Sequence, residues 1–187
     1  MREQIAYLRE RLEFAVSNNE KCFYGEISDC LVALLVVAED KRFWSHWGID
    51  LAAICRALYN IVVHRQLQGA STIEQQLVRT LTGYRELSLG RKLREIVLAS
   101  VIGDFINKRE IAALYLCCAY YGWRMNSLAE ACNRLRISAT TMSNEQAAEL
   151  IARLKYPGPQ LASPGRQALI TNRAAYILQK AASRDSL

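Results

Sequence analysis

The chain has 187 residues, 51% of them apolar, which is enough for one domain with a sizeable core and excludes a disordered protein. Its net charge of +6 favours an anionic partner; the charge alone leaves nucleic acid, a phosphorylated ligand and an acidic membrane surface open. With only 3 prolines and 9 glycines, long stretches keep helical spacing, so the composition predicts an all-α fold.

The 6 cysteines and 2 histidines form no CxxC pair, a pattern that argues against a zinc site. Most of the cysteines lie in apolar helical stretches and are expected in the core. Unpaired thiols and the lack of a signal sequence at the start favour the cytoplasm by composition. No apolar run reaches about 18 residues, so any membrane contact is expected to be peripheral.

The predicted helices follow one another through most of the chain. The first, MREQIAYLRERLEF, is amphipathic and is expected to pack on the domain, with contact to lipid headgroups as the alternative. The apolar run CLVALLVVA, residues 30–38, predicts a buried helix. Capping residues and a proline-containing loop then predict helices over about 50–64, 71–81 (Ser71 with Glu74), 88–106, 107–120 (Asn107 with Glu110), 143–155 (Ser143 with Gln146) and 166–182.

The segment AEDKRFWSHWGID, residues 38–50, carries two adjacent acids directly after the buried helix. Glu39 and Asp40 therefore stand where that helix is expected to emerge into a cleft or into solvent. Burial or a nearby cation tunes the pKa of such a carboxylate, which is how general bases are made. The alternative is a solvated helix end, because exposed acids are common.

The segment QGASTIEQQLVRTL, residues 68–81, predicts a ligand site at a helix start. Gly69 permits a tight turn, while Ser71 and Thr72 offer hydroxyls and amide donors suited to a sugar or a phosphate. Arg79 follows Ser71 by about two turns and is expected to project from the same face. An ordinary capped helix with a polar surface gives the same pattern.

The segment GRKLREIVLASVI, residues 90–102, places Glu95 beside two cations at helical spacings of three and four. A diphosphate site would need a cation cluster of this kind, and a solvated ion-pair ladder is the alternative. The basic residues concentrated in and before this segment are Arg79, Arg85, Arg91, Lys92 and Arg94.

These three segments, followed by KREIAALYL, resemble the glycosyltransferase domain of bacterial penicillin-binding proteins and of monofunctional peptidoglycan transglycosylases. The resemblance covers about residues 28–180 of a single domain spanning 1–187, with 1–27 as an N-terminal helical extension. It implies an all-α, lysozyme-like fold with a large helical lobe and a smaller, mobile lobe near the membrane. The implied reaction is inverting glycosyl transfer that polymerises lipid II, a disaccharide-pentapeptide on undecaprenyl diphosphate.

The resemblance also assigns roles to individual residues. Glu39 matches the catalytic base that takes a proton from the acceptor's 4-hydroxyl, and Glu95 matches a second essential carboxylate. Arg79, where the family usually has lysine, would hold the leaving diphosphate together with Arg91 and Lys92. No cofactor is obligatory, although the resemblance allows Mg²⁺ or Mn²⁺ at Glu95. The remaining residues expected to shape or bind substrate are Asp40, Phe43, His46, Ser71, Thr72, Gln75 and Gln76.

Two departures leave the substrate open. Cys117 stands where the family normally has asparagine, and Ser127 lies near an expected glycine. The alternatives are transfer of another polyprenyl-diphosphate-linked sugar, a non-catalytic binder of such lipids, and a glycan hydrolase, which would have no need of the cation cluster. The resemblance implies no nucleic acid partner and a peripheral place on the outer face of the cytoplasmic membrane. A trimmed or anchor-less member, or a cytoplasmic protein, is the alternative.

Overall fold

A computed structural model of the chain describes residues 1–19, 27–65, 69, 71–84, 86 and 88–185. Within these ranges the regular structure is helical and includes no strand, which confirms the all-α class. Short 3₁₀ turns lie at Phe43–Ser45 and Ile102–Asp104. The α-helices are α1 (Arg2–Asn18), α2 (Asp29–Glu39), α3 (Leu51–His64), α4 (Ile73–Thr82), α5 (Leu89–Val101), α6 (Lys108–Cys118), α7 (Leu128–Leu135), α8 (Asn144–Lys155) and α9 (Pro164–Asp185).

The centre of the fold is formed by α2 and α6, two helices rich in buried apolar residues. The α2 helix packs against α6, α8 and α9, while α4 packs against α1, α5 and α6. Leu35 of α2, Leu77 of α4 and Leu114 of α6 have no exposed surface, and each such side chain contributes about 2 kcal/mol by burial. This packing brings the C-terminal end of α2 close to α4.

The first helix packs on the domain, as its amphipathic pattern predicts. Leu8, Leu12 and Ala15 of α1 are buried in the core, and α1 contacts α4, α5 and α6. Its apolar face is therefore occupied by protein, and the residues around it form part of the same folded unit.

Capping residues located most of the helix starts correctly. Asp50, Ser88, Asn107 and Ser143 each accept a hydrogen bond from the backbone of the following first turn. The boxes predicted at Asn107 and Ser143 are both complete, since each N-cap is paired with the side chain three residues later. These short-range hydrogen bonds satisfy backbone donors that a helix start leaves free.

The predicted capping box of Ser71 with Glu74 is wrong. Thr72 is the N-cap of α4, and its hydroxyl accepts from the backbone N–H of Gln75 at 3.3 Å. Glu74 turns inward to form an ion pair with Lys108 instead of returning to the helix start. A long-range partner for the acid therefore outweighs the local one.

Other boundaries differ from their predictions as well. The α5 helix ends at Val101 and continues as a 3₁₀ turn, so it stops short of the predicted end at Ile106. The α7 helix was not predicted, although Ser127 caps it and accepts from the backbone of Glu130 at 3.2 Å. Ser127 followed three residues later by Glu130 is a pattern that indicates a helix start.

The α3 helix is the least buried part of the middle of the chain. Leu51, Tyr59 and Val62 are all more than half exposed, whereas Ala57 is buried. Much of this helix is therefore exposed, and the expected all-α, lysozyme-like fold is confirmed for the described residues. Among the described helices, none has both the length and the apolar character needed to cross a bilayer.

Candidate active site

Glu39 is the last residue of α2 and its carboxylate reaches a cleft. The side chain is 18% exposed, and its Oε1 lies 3.6 Å from the guanidinium of Arg173 on α9. The Oε2 atom accepts a hydrogen bond at 3.1 Å from the side-chain amide of Gln76 on α4. A carboxylate held in this way has a fixed position and keeps lone pairs available for a substrate proton.

The cleft beside Glu39 is a cavity of about 680 Å³ with a basic lining. Its acidic lining residues are Glu39, Asp40 and Asp50. The cations that line it are Lys41, Arg42, Arg56, Lys155 and Arg173. Positive charge around an acid of this kind favours an anionic ligand close to the carboxylate.

Asp40 is buried and acts differently from its neighbour Glu39. Its carboxylate contacts Nε2 of His46 at 3.0 and 3.1 Å and accepts from the backbone N–H of Ile73 at 3.2 Å. A carboxylate at the first turn of α4 also suits the positive end of the helix dipole. Asp40 therefore ties the first predicted segment to the start of the second.

Phe43 and His46 are buried in the turn that follows Glu39. Phe43 is fully buried, with the Lys108 ammonium 4.3 Å from its ring centroid. His46 is 7% exposed, and its Nδ1 lies 3.9 Å from Glu74, which Lys108 neutralises. These contacts stabilise the turn that follows Glu39.

Gly48 joins all three predicted segments. Its φ of +80° is in the left-handed region, and an added Cβ would lie 1.9 Å from the carbonyl oxygen of Ala99 on α5. The Gly48 carbonyl accepts from the hydroxyl of Thr72 at 2.9 Å and from the amide of Gln75 at 3.3 Å. A glycine is required here both by the backbone conformation and by the close approach to α5.

Glu95 is 1% exposed and stands among three cations. Arg79 donates to its two oxygens at 2.7 and 3.1 Å, Arg91 forms an ion pair with it, and Lys92 lies 3.6 Å away. Burial would raise the pKa of Glu95, but hydrogen bonds and charge from Arg79, with Lys92 and Arg91, outweigh it and lower that pKa. The predicted grouping of Glu95 with Arg91 and Lys92 is confirmed.

Lys92 joins the third segment to the second. Its ammonium donates to the hydroxyl of Ser71 at 2.9 Å and to the amide oxygen of Gln75 at 2.6 Å. Burial lowers the pKa of Lys92, Glu95 acts in the opposite direction, and the charges of Arg79 and Arg91 lower it further. The Arg79 and Lys92 side chains remain 38% and 33% exposed, so both keep surface that is open to a ligand.

One face of α4 contacts both carboxylates, Glu39 and Glu95. Gln76 contacts Glu39, while Arg79, three residues later and hence one turn along the same face, contacts Glu95. The acid at the end of α2 and the cation cluster on α4 and α5 therefore lie next to each other. Such a site can place an anionic group within reach of a proton acceptor.

The predicted site residues divide into two groups by exposure. The buried group holds the elements around the cleft together and consists of Asp40, Phe43, His46, Thr72, Gln75 and Glu95. The residues that keep some exposed surface are Glu39, Ser71, Gln76, Arg79, Arg91 and Lys92. Contact between any of these residues and a substrate stays a prediction, whereas their mutual contacts are now defined.

The surroundings of Glu95 do not fit a divalent cation. Guanidinium groups bind its oxygens and an ammonium lies beside them, so the shell is made of cations where Mg²⁺ or Mn²⁺ needs oxygen ligands. A buried group formed by Asp40, His46 and Glu74 has ligand atoms within 4.8 Å of one another. There, the ammonium of Lys108 already neutralises Glu74.

Sequence reasoning missed several residues of the site, among them Arg173 and Tyr115. Arg173 contacts Glu39 and donates to the carbonyl oxygen of Ala38 at 2.8 Å, and Tyr115 donates to the side chain of Gln76. Both lie on helices whose sequence pattern is explained by core packing alone. Only the packing of α6 and α9 against α2 and α4 reveals them.

The all-α, lysozyme-like fold, with a cleft carboxylate beside a cation cluster, is consistent with the class of transglycosylase folds. The family described as Transglycosylase matches residues 8–182, and the chain belongs to this family. The match begins within α1, so residues 8–18 of that helix lie in the matched region.

The relatives differ in how much of their own length this chain spans. Penicillin-binding protein 1A of Rickettsia prowazekii is 30% identical over 93% of this chain, which spans only 22% of that relative. The biosynthetic peptidoglycan transglycosylase of Ectopseudomonas mendocina is 33% identical over 84% of the chain and 65% of the relative. The monofunctional glycosyltransferase of Staphylococcus aureus is 36% identical over 57% of the chain and 41% of the relative.

Proposed function

We propose that this protein polymerises lipid II by inverting glycosyl transfer, with Glu39 as the general base. The observation that carries the proposal is the place of Glu39, a partly exposed carboxylate in a basic cavity of about 680 Å³ next to a second cation cluster. The names of two relatives, a biosynthetic peptidoglycan transglycosylase and a monofunctional glycosyltransferase, support the same reaction class.

The chemistry needs a base on the ring face opposite the leaving group. The acceptor's 4-hydroxyl oxygen attacks the anomeric carbon of the donor sugar and forms the new glycosidic bond. Its proton passes to the Glu39 carboxylate as the bond from the anomeric carbon to the diphosphate oxygen breaks. The attack comes from the face opposite the diphosphate, which leaves with the bonding electron pair, so the configuration inverts and no water is consumed.

The leaving diphosphate needs positive charge, which the cluster around Glu95 offers. Arg79 and Lys92 are the more exposed members, and Glu95 holds them together by neutralising part of their mutual repulsion. Preorganised cations stabilise charge that develops in the transition state without reorganising during the reaction. Glu95 therefore acts through these cations, and a hydrolase would have no comparable need of them.

Polymerisation uses two lipid-linked molecules, and the structure has two sets of cations near Glu39. One set is the Glu95 cluster; the other lines the cavity and includes Arg42, Arg56 and Lys155. Each set could hold the diphosphate of one substrate molecule.

Exposed apolar residues favour peripheral contact with a membrane. Trp47 is 90% exposed, Leu51 and Leu89 are 70% and 86% exposed, and Trp47 and Leu51 line one cavity with Ser100 of α5. A substrate with a polyprenyl chain is held in a bilayer, so an exposed apolar surface would bring the enzyme to it. We place the protein on the outer face of the cytoplasmic membrane.

The departures at Cys117 and Ser127 bear more on the fold than on the cleft. Cys117 is 1% exposed, and Ser127 caps α7. Neither residue lines the cavity beside Glu39. Lipid II therefore remains the proposed substrate in preference to another polyprenyl-diphosphate-linked sugar.

Incubating the purified protein with lipid II, followed by separation of the glycan products, tests the proposal. We expect glycan chains to form, with one undecaprenyl diphosphate released for each disaccharide added. Binding of lipid II without any polymer, or polymer formed only from another lipid-linked sugar, would favour the alternatives. Free disaccharide produced with uptake of water would indicate a hydrolase.

A further inference from the structure

We propose that Tyr115 is a positioning residue for Glu39, because its hydroxyl sets the orientation of the Gln76 amide that holds the carboxylate. This inference rests on the proposed role of Glu39 as the general base. Tyr115 lies on α6, one layer behind the cleft, and does not line the cavity beside Glu39. Its action on the reaction is therefore indirect.

The three side chains form a continuous hydrogen-bonded chain. The hydroxyl of Tyr115 donates to Oε1 of Gln76, and Nε2 of the same amide donates to Oε2 of Glu39 at 3.1 Å. Tyr115 is 6% exposed, whereas Gln76 is only partly buried. The orientation of Gln76 is thus fixed from the protein interior.

The order of donors and acceptors decides the effect on Glu39. A glutamine amide carries an acceptor on one arm and two donors on the other. While the Tyr115 hydroxyl donates to the oxygen arm, the nitrogen arm faces Glu39. With the hydroxyl removed, only the hydrogen bond to Glu39 holds the amide among the described residues, so the Gln76 side chain can move and the carboxylate loses a fixed partner.

Tyr115 is suited to remain a donor. Burial raises the pKa of its hydroxyl well above the usual range, and the negative charge of Glu39 raises it further, against an opposing effect of Arg79. The hydroxyl consequently keeps its proton at neutral and mildly alkaline pH. A phenylalanine would fill the same space in the core, so the hydroxyl is the part of the side chain that serves Gln76.

The first test is Tyr115→Phe, which removes the hydroxyl and keeps the ring. We expect kcat for polymerisation to fall by about 5- to 30-fold, the effect of losing one organising hydrogen bond, while KM changes little. Tyr120→Phe is the matched control, because Tyr120 follows the same helix and is 48% exposed. A wild-type kcat in Tyr115→Phe, or a change in KM alone, would overturn the inference.

A double-mutant cycle separates positioning from a general loss of packing. If Tyr115 acts through Gln76, adding Tyr115→Phe to Gln76→Ala should change kcat by less than about two-fold. Fully additive losses would contradict that link. Should Tyr115→Phe fail to fold, Gln76→Leu tests the link from the other side, with a lowered kcat expected and an unchanged kcat contrary to the inference.

Glu39→Gln, assayed in parallel, distinguishes this inference from the proposed function. Turnover that survives in Glu39→Gln would reject Glu39 as the base, whatever Tyr115→Phe does. Loss of turnover in Glu39→Gln together with a normal kcat in Tyr115→Phe would reject the positioning role alone.

Discussion

The guanidinium of Arg79 binds both carboxylate oxygens of Glu95, at 2.7 and 3.1 Å. Arg79 belongs to α4 and Glu95 to α5, so this bidentate pair joins the segment 68–81 to the segment 90–102. Bidentate pairs of arginine and carboxylate fix geometry as well as charge. The cations of the cleft are therefore held in place before any ligand binds.

Replacing Glu95 with glutamine should destabilise the protein. The variant leaves Arg79, Arg91 and Lys92 facing one another without their shared anion. We expect the free energy of unfolding to fall by about 2 kcal/mol, less than for a fully buried pair because water screens Arg79 and Lys92. Urea denaturation measures the change, and Glu13→Gln, which breaks a surface pair with Arg9, should have little effect.

The same carboxylate should make stability depend on pH. The pKa of Glu95 is lowered in the folded protein, so its contribution is present above the unfolded value of about 4.3 and is lost as pH falls through the folded pKa. The stability difference between wild type and Glu95→Gln should therefore narrow below about pH 4.5. Denaturation at pH 7, 5 and 4 measures it, and a constant difference would contradict the assigned ion pairs.

Gly48→Ala should disrupt the junction of the three segments. The added methyl group would lie 1.9 Å from the Ala99 carbonyl oxygen, at a φ of +80° that alanine disfavours. We expect a loss of at least about 2 kcal/mol in unfolding free energy, since backbone must move. Gly90→Ala is the control, because nothing lies within 4 Å of its added methyl group. Similar stability of the two variants would argue against this close approach.

Arg173→Met should lower activity more than stability. Arg173 donates to the Ala38 carbonyl at the end of α2 and lies 3.6 Å from Glu39, so its loss frees the segment that carries the base. We expect kcat/KM to fall by about 10-fold or more, with partial recovery in Arg173→Lys. Steady-state polymerisation rates provide the measurement. An equal loss in Arg166→Met, two turns earlier on α9, would point to a general effect of charge.

The local parts of the fold were predictable, because caps and apolar runs act over a few residues. Asp50, Ser88, Asn107 and Ser143 mark helix starts in the sequence and in the structure. The choice between adjacent hydroxyls at 71 and 72 was not predictable in this way. Thr72 caps α4 because its hydroxyl also reaches Gly48, a partner distant in sequence.

The candidate site was predictable where its residues share one helix. The spacing of Arg91 and Lys92 to Glu95 is a local property of α5, and it holds in the structure. The contacts of Arg79 with Glu95, Gln76 with Glu39 and Arg173 with Glu39 join different helices. They depend on packing angles that no short pattern encodes, which is why the supporting residues were missed.

The substitution Glu39→Gln tests the proposed role of Glu39 as the general base. The substitution keeps the size and hydrogen-bonding reach of the side chain but removes its capacity to accept the acceptor's proton. We expect turnover of lipid II to fall by roughly 10²- to 10⁴-fold with the fold intact, while Glu145→Gln at the exposed start of α8 stays at the wild-type rate. A Glu39→Gln enzyme that polymerises lipid II at the wild-type rate would contradict the role of Glu39 as the base.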